Sequence, residues 1–273
     1  MNALQIGDFS VTALFDGPQS FPLDLFRGAD KATMLAVTGG QPVPASFKAF
    51  LIKHGAERFL VDTGNGTSRP ERTGQLLLSL KEAKVTPEEI SKIFITHLHS
   101  DHIGGLVEGG KAVFPKAQVY VAKPEYDYWM NEEVMRQAGE NWRPMFLAIH
   151  AVFRVLESNK ALVFITPGDV VAPDITSVAL LGHTPGHSGF LLTSKGKKFF
   201  FVGDLLHAGA LQFSRPDITL LFDSDQPMAK ETRLRIFKQV AAEQTPIAAV
   251  HLPFPGIGLV RAEGDGYRFE AFK

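Results

Sequence analysis

The stretch 96–105 places three histidines and one aspartate within six consecutive positions, directly after a short apolar run at 93–95. The run is β-branched and aromatic, which predicts a buried strand. Its end is followed by four residues that can bind metal: His97, His99, Asp101 and His102. Because side chains alternate with period two along an extended chain, His97 and His99 are expected to point to the same side.

A sharp turn is expected directly after these four residues. Gly104 and Gly105 relieve backbone crowding, so the chain can bring Asp101 and His102 back toward the first two histidines. Two imidazoles from one pair, with a carboxylate and an imidazole from the other, suit two adjacent metal ions. Nitrogen and oxygen ligands without a thiolate favour zinc, with iron, manganese and cobalt as alternatives. The competing interpretation is a chance cluster on a solvated loop, or core histidines with satisfied hydrogen bonds.

Three later apolar runs also end in a histidine or a carboxylate. The runs at 178–181, 199–203 and 248–250 lead to His183, Asp204 and His251, respectively. Since sites in open α/β sheets lie beyond the carboxyl ends of strands, we expect these side chains to join the cluster near residue 100. His187 is expected to hold its turn by hydrogen bonding. His54 and His150 have no partners in the sequence and are expected to be structural.

Other side chains could support or surround such a site. Asp62 follows a strand and precedes a glycine, so it is either a turn residue or a carboxylate that orients a metal-bound histidine. Trp129 lies in an aromatic helical segment and belongs either to the core or to the wall of a substrate pocket. Leu205, Leu206 and His207 follow a strand-end carboxylate and are expected to face the cavity. The 22 phenylalanines of the chain favour an apolar pocket.

The rest of the sequence predicts alternating strands and helices. We expect strands at 9–15, 47–52, 58–61, 92–95 and 119–121, a turn at 16–18, an irregular arm from 21 to 44, and helices at 76–83, directly after Thr86, within 124–155 and at 229–243. The two halves each run through strands and a helix to strand-end ligands, which predicts two sheets packed face to face with helices outside. The absence of a linker-like stretch predicts a single domain over residues 1–273.

The bulk composition excludes several functions. A net charge of −1 offers no electrostatic footprint for nucleic acid, and the chain has no basic run that would bind an anionic membrane. With no cysteine, any metal must be held by nitrogen and oxygen. The N-terminus lacks a secretory pattern, and together with the missing cysteines this predicts a cytoplasmic protein.

The residues 97–102 match the His-x-His-x-Asp-His signature of the metallo-β-lactamase superfamily, which the chain resembles over nearly its whole length. The resemblance implies an α/β fold, a four-layer αβ/βα sandwich of two mixed β-sheets flanked by helices. It implies two divalent metal ions, one bound by His97, His99 and His183, the other by Asp101, His102 and His251, with Asp204 bridging both. It also implies that Asp62 supports a ligand and that Asp101 accepts a proton from a metal-bridging hydroxide.

A narrower likeness is to the methyl parathion hydrolase group, which is similar to lactonases and aryl esterases. The matching segments are 114–115, 125–129, 203–207, 250–258 and 261–269. This likeness implies a hydrolase of small apolar lactones or aryl esters with side activity on organophosphate triesters, and a homodimer. The alternatives are a thioesterase of the glyoxalase II kind, which would need a basic patch for glutathione, and a non-catalytic metal-binding module, which should have lost ligands.

Overall fold

The computed structural model describes residues 3–67 and 71–272, and short strands dominate both halves of that part of the chain. The strands are β1 (Leu4–Ile6), β2 (Phe9–Phe21), β3 (Phe26–Arg27), β4 (Val43–His54), β5 (Glu57–Val61), β6 (Lys92–Phe94), β7 (Val107–Glu108), β8 (Lys111–Ala112), β9 (Gln118–Ala122), β10 (Leu162–Ile165), β11 (Val170–Ala172), β12 (Ile175–Ala179), β13 (Ser188–Ser194), β14 (Lys197–Gly203), β15 (Thr219–Leu220), β16 (Ile247–Ala249), β17 (Ile257–Glu263) and β18 (Gly266–Ala271).

Helices connect the strands and cover the outside of the sheets. They are α1 (Lys31–Thr38), α2 (Leu76–Glu82), α3 (Ser100–Ile103), α4 (Lys123–Trp129), α5 (Glu132–Gln137), α6 (Arg143–Ser158), α7 (Gly209–Gln212) and α8 (Gln226–Glu243). A 3-10 turn at Pro87–Glu89 follows Thr86, and the backbone N–H of Thr86 donates to Glu89 Oε2 at 2.7 Å. The helix start predicted there is confirmed, because this reciprocal capping satisfies backbone donors that a helix leaves free.

Two seven-stranded mixed sheets form the body of the molecule. The first has the strand order β1-β2-β4-β5-β6-β9-β10 and the second the order β11-β12-β13-β14-β16-β17-β18. Phe50, Phe94 and Phe201 belong to the core between the sheets and are at most 1% exposed. The helices α6 and α8 contribute buried apolar residues to separate outer cores, which confirms the predicted αβ/βα sandwich.

Parallel pairing brings the predicted ligand segments to strand ends. β6 lies between β5 and β9 and is parallel to both, and β14 is parallel to β16. His97 and His99 lie in the loop after β6, Asp204 directly follows β14, and His251 follows β16. The turn after the first of these loops needs glycine, because a Cβ at Gly104 would lie 2.2 Å from the carbonyl oxygen of Asn65.

Two predictions for the N-terminal region are wrong. The turn expected at 16–18 is a bulge, because β2 continues to Phe21 with a register shift between Phe15 and Gly17 against β4. The bulge lets the fully buried carboxylate of Asp16 accept the backbone N–H of Asn65 at 2.9 Å. The arm expected to be irregular contains α1, whose first turn is capped by the Asp30 carboxylate.

Within the part of the chain that the structure describes, no helix combines the length and the apolar character that crossing a membrane requires.

Candidate metal centre

The first group of metal-binding side chains joins the loop after β6 to the loop after β12. His97 and His99 lie on the extended segment before α3, and His97 Nε2 is 3.0 Å from His99 Nδ1. His183 comes from the second half of the chain, and its Nε2 is 3.1 Å from His99 Nδ1. The three imidazoles therefore present one nitrogen each to a common point, and all three are at most 8% exposed.

A second group lies directly beside the first. Asp101 and His102 are carried by α3, and His251 follows β16. The Oδ2 atom of Asp101 is 3.3 Å from His251 Nε2 and 3.7 Å from His102 Nε2. These three side chains also offer one ligand atom each within a span that one cation could occupy.

Asp204 lies between the two groups, at the end of β14. Its Oδ2 atom is 3.3 Å from His183 Nε2 and 3.1 Å from His251 Nε2, whereas its Oδ1 atom is 3.2 Å from His102 Nε2. One carboxylate thus contacts imidazoles of both groups. The structure brings together all seven residues that the resemblance named, and it places His207 with Asp204 and His251 as a third possible group.

The donor set fits divalent cations. Tetrahedral coordination at about 2.0–2.1 Å places neighbouring nitrogen and oxygen ligands roughly 3.3 Å apart, which is the range of spacings observed here. Among the described residues, His102 Nε2 and Asp204 Oδ1 have no hydrogen-bond partner although both atoms are buried. Leaving such groups unsatisfied is costly, and a cation that accepts both lone pairs removes that cost.

The Asp62 side chain orients one of these imidazoles. Asp62 Oδ2 lies 2.8 Å from His102 Nδ1, and the same carboxylate accepts the backbone N–H and the hydroxyl of Thr96 at 2.8 and 2.9 Å. The residue also has φ 60°, so it makes a left-handed turn as well. Asp62 therefore meets both expectations, since it is a turn residue and the turn directs its carboxylate toward His102.

A carboxylate that the sequence analysis missed performs the same task for His183. Asp223 Oδ1 lies 2.8 Å from His183 Nδ1, and its Oδ2 accepts the backbone N–H of Leu220 at 2.8 Å. The guanidinium of Arg233 is 4.0 Å from the same carboxylate. Asp223 is 40 positions from His183 in the chain, and no local pattern marks it. Looking for an acidic partner for each candidate ligand would have named Asp223 only as one of several acids.

His187 holds its turn as predicted. Its Nδ1 donates to the carbonyl oxygen of Leu180 at 2.8 Å, and its Nε2 accepts the backbone N–H of Asp204 at 3.1 Å. Burial lowers the pKa of His187 to about 3, so the imidazole is neutral and able to accept. His187 thereby fixes the backbone of the shared carboxylate without presenting a nitrogen to the metal groups.

The three residues after Asp204 divide between the site and the core. His207 faces the cavity as predicted, with Nε2 3.0 Å from Asp204 Oδ2 and its ring stacked on His251 at 4.9 Å. Burial lowers the pKa of His207 to about 4. The prediction for Leu205 and Leu206 is wrong: both are at most 3% exposed and pack into the core under α8, because the chain turns inward after Gly203.

Two cavities meet at the cluster and share Trp142 and Phe222 as a common wall. The smaller, of about 240 Å³, is also lined by Tyr128, Trp129, Phe146 and Leu221 beside His99 and His183. The larger, of about 290 Å³, is also lined by Phe21, Leu25, Phe47 and Met145 beside Asp101, Asp204, His207 and His251. Aromatic and aliphatic side chains therefore surround the polar cluster on both sides.

Trp129 belongs to the cavity wall and also to the core behind it. Its ring centroid is 5.5 Å from that of His99, and its Nε1–H donates to Glu125 Oε1 at 2.8 Å. His150 contacts the carbonyl oxygen of Trp129 at 2.9 Å, and His54 stacks on Phe9 at 4.2 Å, so both histidines have the structural roles expected of them.

Replacing Trp129 with alanine is expected to change substrate preference more than metal content, because the indole borders the cavity and supplies no ligand. We expect kcat/KM to rise for larger relative to smaller substrates by roughly 10-fold, since one aromatic wall is worth about 1–3 kcal/mol of discrimination. Phe153→Ala is the matched control, because Phe153 is a fully buried aromatic of the same core that lines neither cavity. If wild type and Trp129→Ala show the same dependence of kcat/KM on substrate size, Trp129 has a role only in the core.

Comparison with known proteins agrees with this geometry. The model of the Metallo-beta-lactamase superfamily matches residues 48–248. The structure of AbOPH, a hydrolase in the beta lactamase superfamily, superimposes with a TM-score of 0.93 at 31% identity, covering 99% of this chain and 97% of that one. AidC, a dizinc quorum-quenching lactonase in complex with the product N-hexanoyl-L-homoserine, gives a TM-score of 0.92 at 26% identity, covering 100% of this chain and 98% of that one.

Curated relatives match over shorter segments. A hydroxyacylglutathione hydrolase of Tolumonas auensis is 26% identical over 161 residues, which are 59% of this chain and 47% of the relative. A ribonuclease Z of Thermococcus sibiricus is 42% identical over 101 residues, which are 36% of this chain and 29% of the relative. The chain thus spans less than half the length of these curated relatives.

The family model covers 201 of the 273 residues, and it spans six of the seven clustered side chains, all but His251. The fold, the clustered histidines and carboxylates, and this match lead to one conclusion: the chain belongs to the metallo-beta-lactamase superfamily.

Proposed function

We propose that this protein is a di-metal hydrolase of apolar lactones or aryl esters, within the methyl parathion hydrolase group and with side activity on organophosphate triesters. The observation that carries the proposal is the position of Asp204, whose two oxygens face imidazoles of both ligand groups beside two cavities with many aromatic and aliphatic wall residues. Zinc is the metal that the donor set favours.

The ligands divide the work of the site. His97, His99 and His183 would hold one cation, Asp101, His102 and His251 the other, and Asp204 both. Two bound cations supply a water of lowered pKa and polarise the attacked carbonyl or phosphoryl oxygen. Asp101 is the ligand with the most open side chain, 23% exposed against 3% or less for Asp204 and His251, so it can pass a proton between the site and solvent.

The surrounding cluster keeps both carboxylates ionised. Burial would raise the pKa of Asp101 and of Asp204, but neighbouring imidazoles, including His102 and His251, hold both pKa values below the usual value.

The lining of the cavities supports an uncharged substrate. Of the described residues, those that line the two cavities include no Lys or Arg, and most of the wall away from the cluster is aromatic or aliphatic. The two cavities adjoin at the cluster, so together they leave room there for different parts of one substrate. The lactonase relative, with a six-carbon acyl product bound, supports substrates of this size.

A thioesterase of the glyoxalase II kind is the second candidate. The hydroxyacylglutathione hydrolase relative favours it, since that match covers 59% of this chain. Glutathione carries two carboxylates, however, and the described lining offers no cationic side chain to receive them. We therefore rank hydrolysis of apolar esters above thioester hydrolysis.

A substrate panel on zinc-loaded protein tests the proposal. The panel consists of an N-hexanoyl homoserine lactone, an aromatic lactone, phenyl acetate, a diethyl aryl phosphotriester, a lactoylglutathione thioester and a β-lactam. We expect the highest kcat/KM for the lactones or phenyl acetate, with weaker turnover of the phosphotriester. A thioester preference would establish the second candidate, and an inert protein with full metal content would leave a non-catalytic metal-binding module.

Metal content gives an independent prediction. Protein purified without chelator and loaded with zinc is expected to bind close to two ions per chain by elemental analysis, because two ligand groups share one bridging carboxylate. Removing the metals with a chelator should abolish hydrolysis, and adding zinc or cobalt should restore it. A stoichiometry that saturates at one ion would contradict the bridged pair.

Three expectations from the sequence analysis stay predictions: the homodimer, the single domain over residues 1–273 and the cytoplasmic location.

A further inference from the structure

One fully buried carboxylate that belongs to neither ligand group joins the two loops that carry the first group. Glu125 lies on α4 and is 0% exposed. Its Oε1 accepts the backbone N–H of Leu98 at 3.0 Å and the indole N–H of Trp129 at 2.8 Å, and its Oε2 accepts the backbone N–H of Gly186 at 2.8 Å. All three partners are N–H donors, so both oxygens of the side chain act here as acceptors.

The two backbone donors belong to loops that carry candidate ligands. Leu98 is the residue between His97 and His99, and Gly186 lies three residues after His183. The second loop rests directly on α4, because a Cβ at Gly186 would lie 2.4 Å from the backbone nitrogen of Glu125. One carboxylate therefore bonds the loop after β6 in the first sheet and the loop after β12 in the second.

We propose that Glu125 is a positioning residue that fixes the spacing between the His97/His99 loop and the His183 loop and seats Trp129 at the cavity wall. This inference rests on the metal site of the proposed function. The spacing it controls is the 3.1 Å between His99 Nδ1 and His183 Nε2, on which one of the two metal groups depends. The second group is carried by α3 and the loop after β16, and it receives no hydrogen bond from Glu125 in the described part of the chain.

Replacing Glu125 with glutamine tests the inference. An amide has one acceptor oxygen, so its NH2 group must face either the N–H of Gly186 or the two donors at Leu98 and Trp129. We expect zinc in the group of His97, His99 and His183 to bind roughly 10–100-fold more weakly, as is typical when a supporting contact behind a ligand is lost. The zinc of the other group should keep its affinity.

Chelator competition and cobalt absorption spectra provide the readout, and neither requires catalysis. The spectra of His183→Ala and His251→Ala define the signature of losing each metal, and Glu125→Gln should match the first. Glu157→Gln is the matched control: Glu157 is exposed and accepts a hydrogen bond from Tyr126, the neighbour of Glu125 on α4. Trp129→Phe removes the indole donor and part of the cavity wall, and it should change KM for the panel substrates without changing metal affinity.

A second variant keeps the test decisive if Glu125→Gln folds poorly. Gly186→Ala pushes the same loop away from α4 while the carboxylate stays in place, so it should weaken the same metal. The inference would be overturned if each metal had the same chelator midpoint in Glu125→Gln as in wild type. It would also be overturned if Glu125→Gln weakened the binding of both metals equally. A substrate panel without turnover would overturn the proposed function but would leave this metal readout intact.

Discussion

Replacing Asp204 with alanine is expected to release both metals and to lower kcat/KM by at least about 10³-fold, more than the 10–100-fold loss typical of contacts behind a ligand. The reason is geometric: the two oxygens of Asp204 lie 3.1–3.3 Å from imidazole nitrogens of both ligand groups, so its removal takes an anionic donor from each. It also leaves buried imidazoles facing one another without a counter-charge. Elemental analysis and steady-state kinetics on the best panel substrate measure the two effects.

Asp30→Ala is the control for this experiment. Asp30 caps α1 on the exposed surface, and its loss should slightly lower the free energy of unfolding without changing metal content. Asp204→Asn is informative as well, because the amide keeps the shape but offers one oxygen. A metal-replete, active Asp204→Ala protein would refute the bridging role and with it the paired site.

Replacing Lys48 with methionine is expected to lower the free energy of unfolding by about 1–3 kcal/mol, the cost of leaving a buried polar group without its hydrogen-bond partner. Lys48 is 0% exposed, and its Nζ donates to the carbonyl oxygens of Val250 at 2.6 Å, Leu252 at 2.5 Å and Ala249 at 3.4 Å. Burial lowers the pKa of its ammonium well below the usual value, which the nearby Asp204 opposes. Methionine fills the space but removes the ammonium donor from these carbonyls, although that of Leu252 also accepts the hydroxyl of Ser46 at 2.9 Å.

Those carbonyls flank His251, so the same substitution should also weaken the metal held by the second group. Lys53→Met is the matched control on the same strand, since Lys53 is partly exposed and donates to one carbonyl, that of Ala83, at 3.0 Å. We expect less than about 1 kcal/mol for it, the net value of one ordinary hydrogen bond. Denaturant unfolding of metal-free protein separates the stability term from metal binding. Equal losses for the two variants would show that Lys48 is an ordinary strand residue.

The strand-end ligands were predictable because each carries a local signal. A short apolar run predicts where a strand ends, and His97, His183 and His251 each follow such a run within a few positions. The role of His187 followed from its place one turn beyond the first histidine of its loop. The sandwich itself followed from two halves that repeat strands, a helix and strand-end ligands.

The supporting residues were not predictable, because their partners are distant in the chain. Lys48 bonds carbonyls about 200 positions away, and Glu125 joins loops that are 88 positions apart. Nothing near either residue distinguishes it from a surface charge. The bulge at Asp16 was also hidden, since Asp-Gly-Pro is a strong turn signal unless tertiary contacts bury the carboxylate. The prediction for Leu205 and Leu206 was wrong for a related reason. A residue that follows a ligand in the sequence does not have to face the same cavity as the ligand.

The long strand β2 and the arm after it have a practical consequence for redesign. Phe21 lies edge-on to both His207 and His251, at 5.5 and 5.4 Å between ring centroids, and the β3–β15 pairing anchors the arm to the second half of the molecule. The wall they form contains none of the seven ligands. Variation at positions 19, 20, 22 and 25 can therefore change which molecules enter the cavity, provided that Phe21, which packs against His251, is kept.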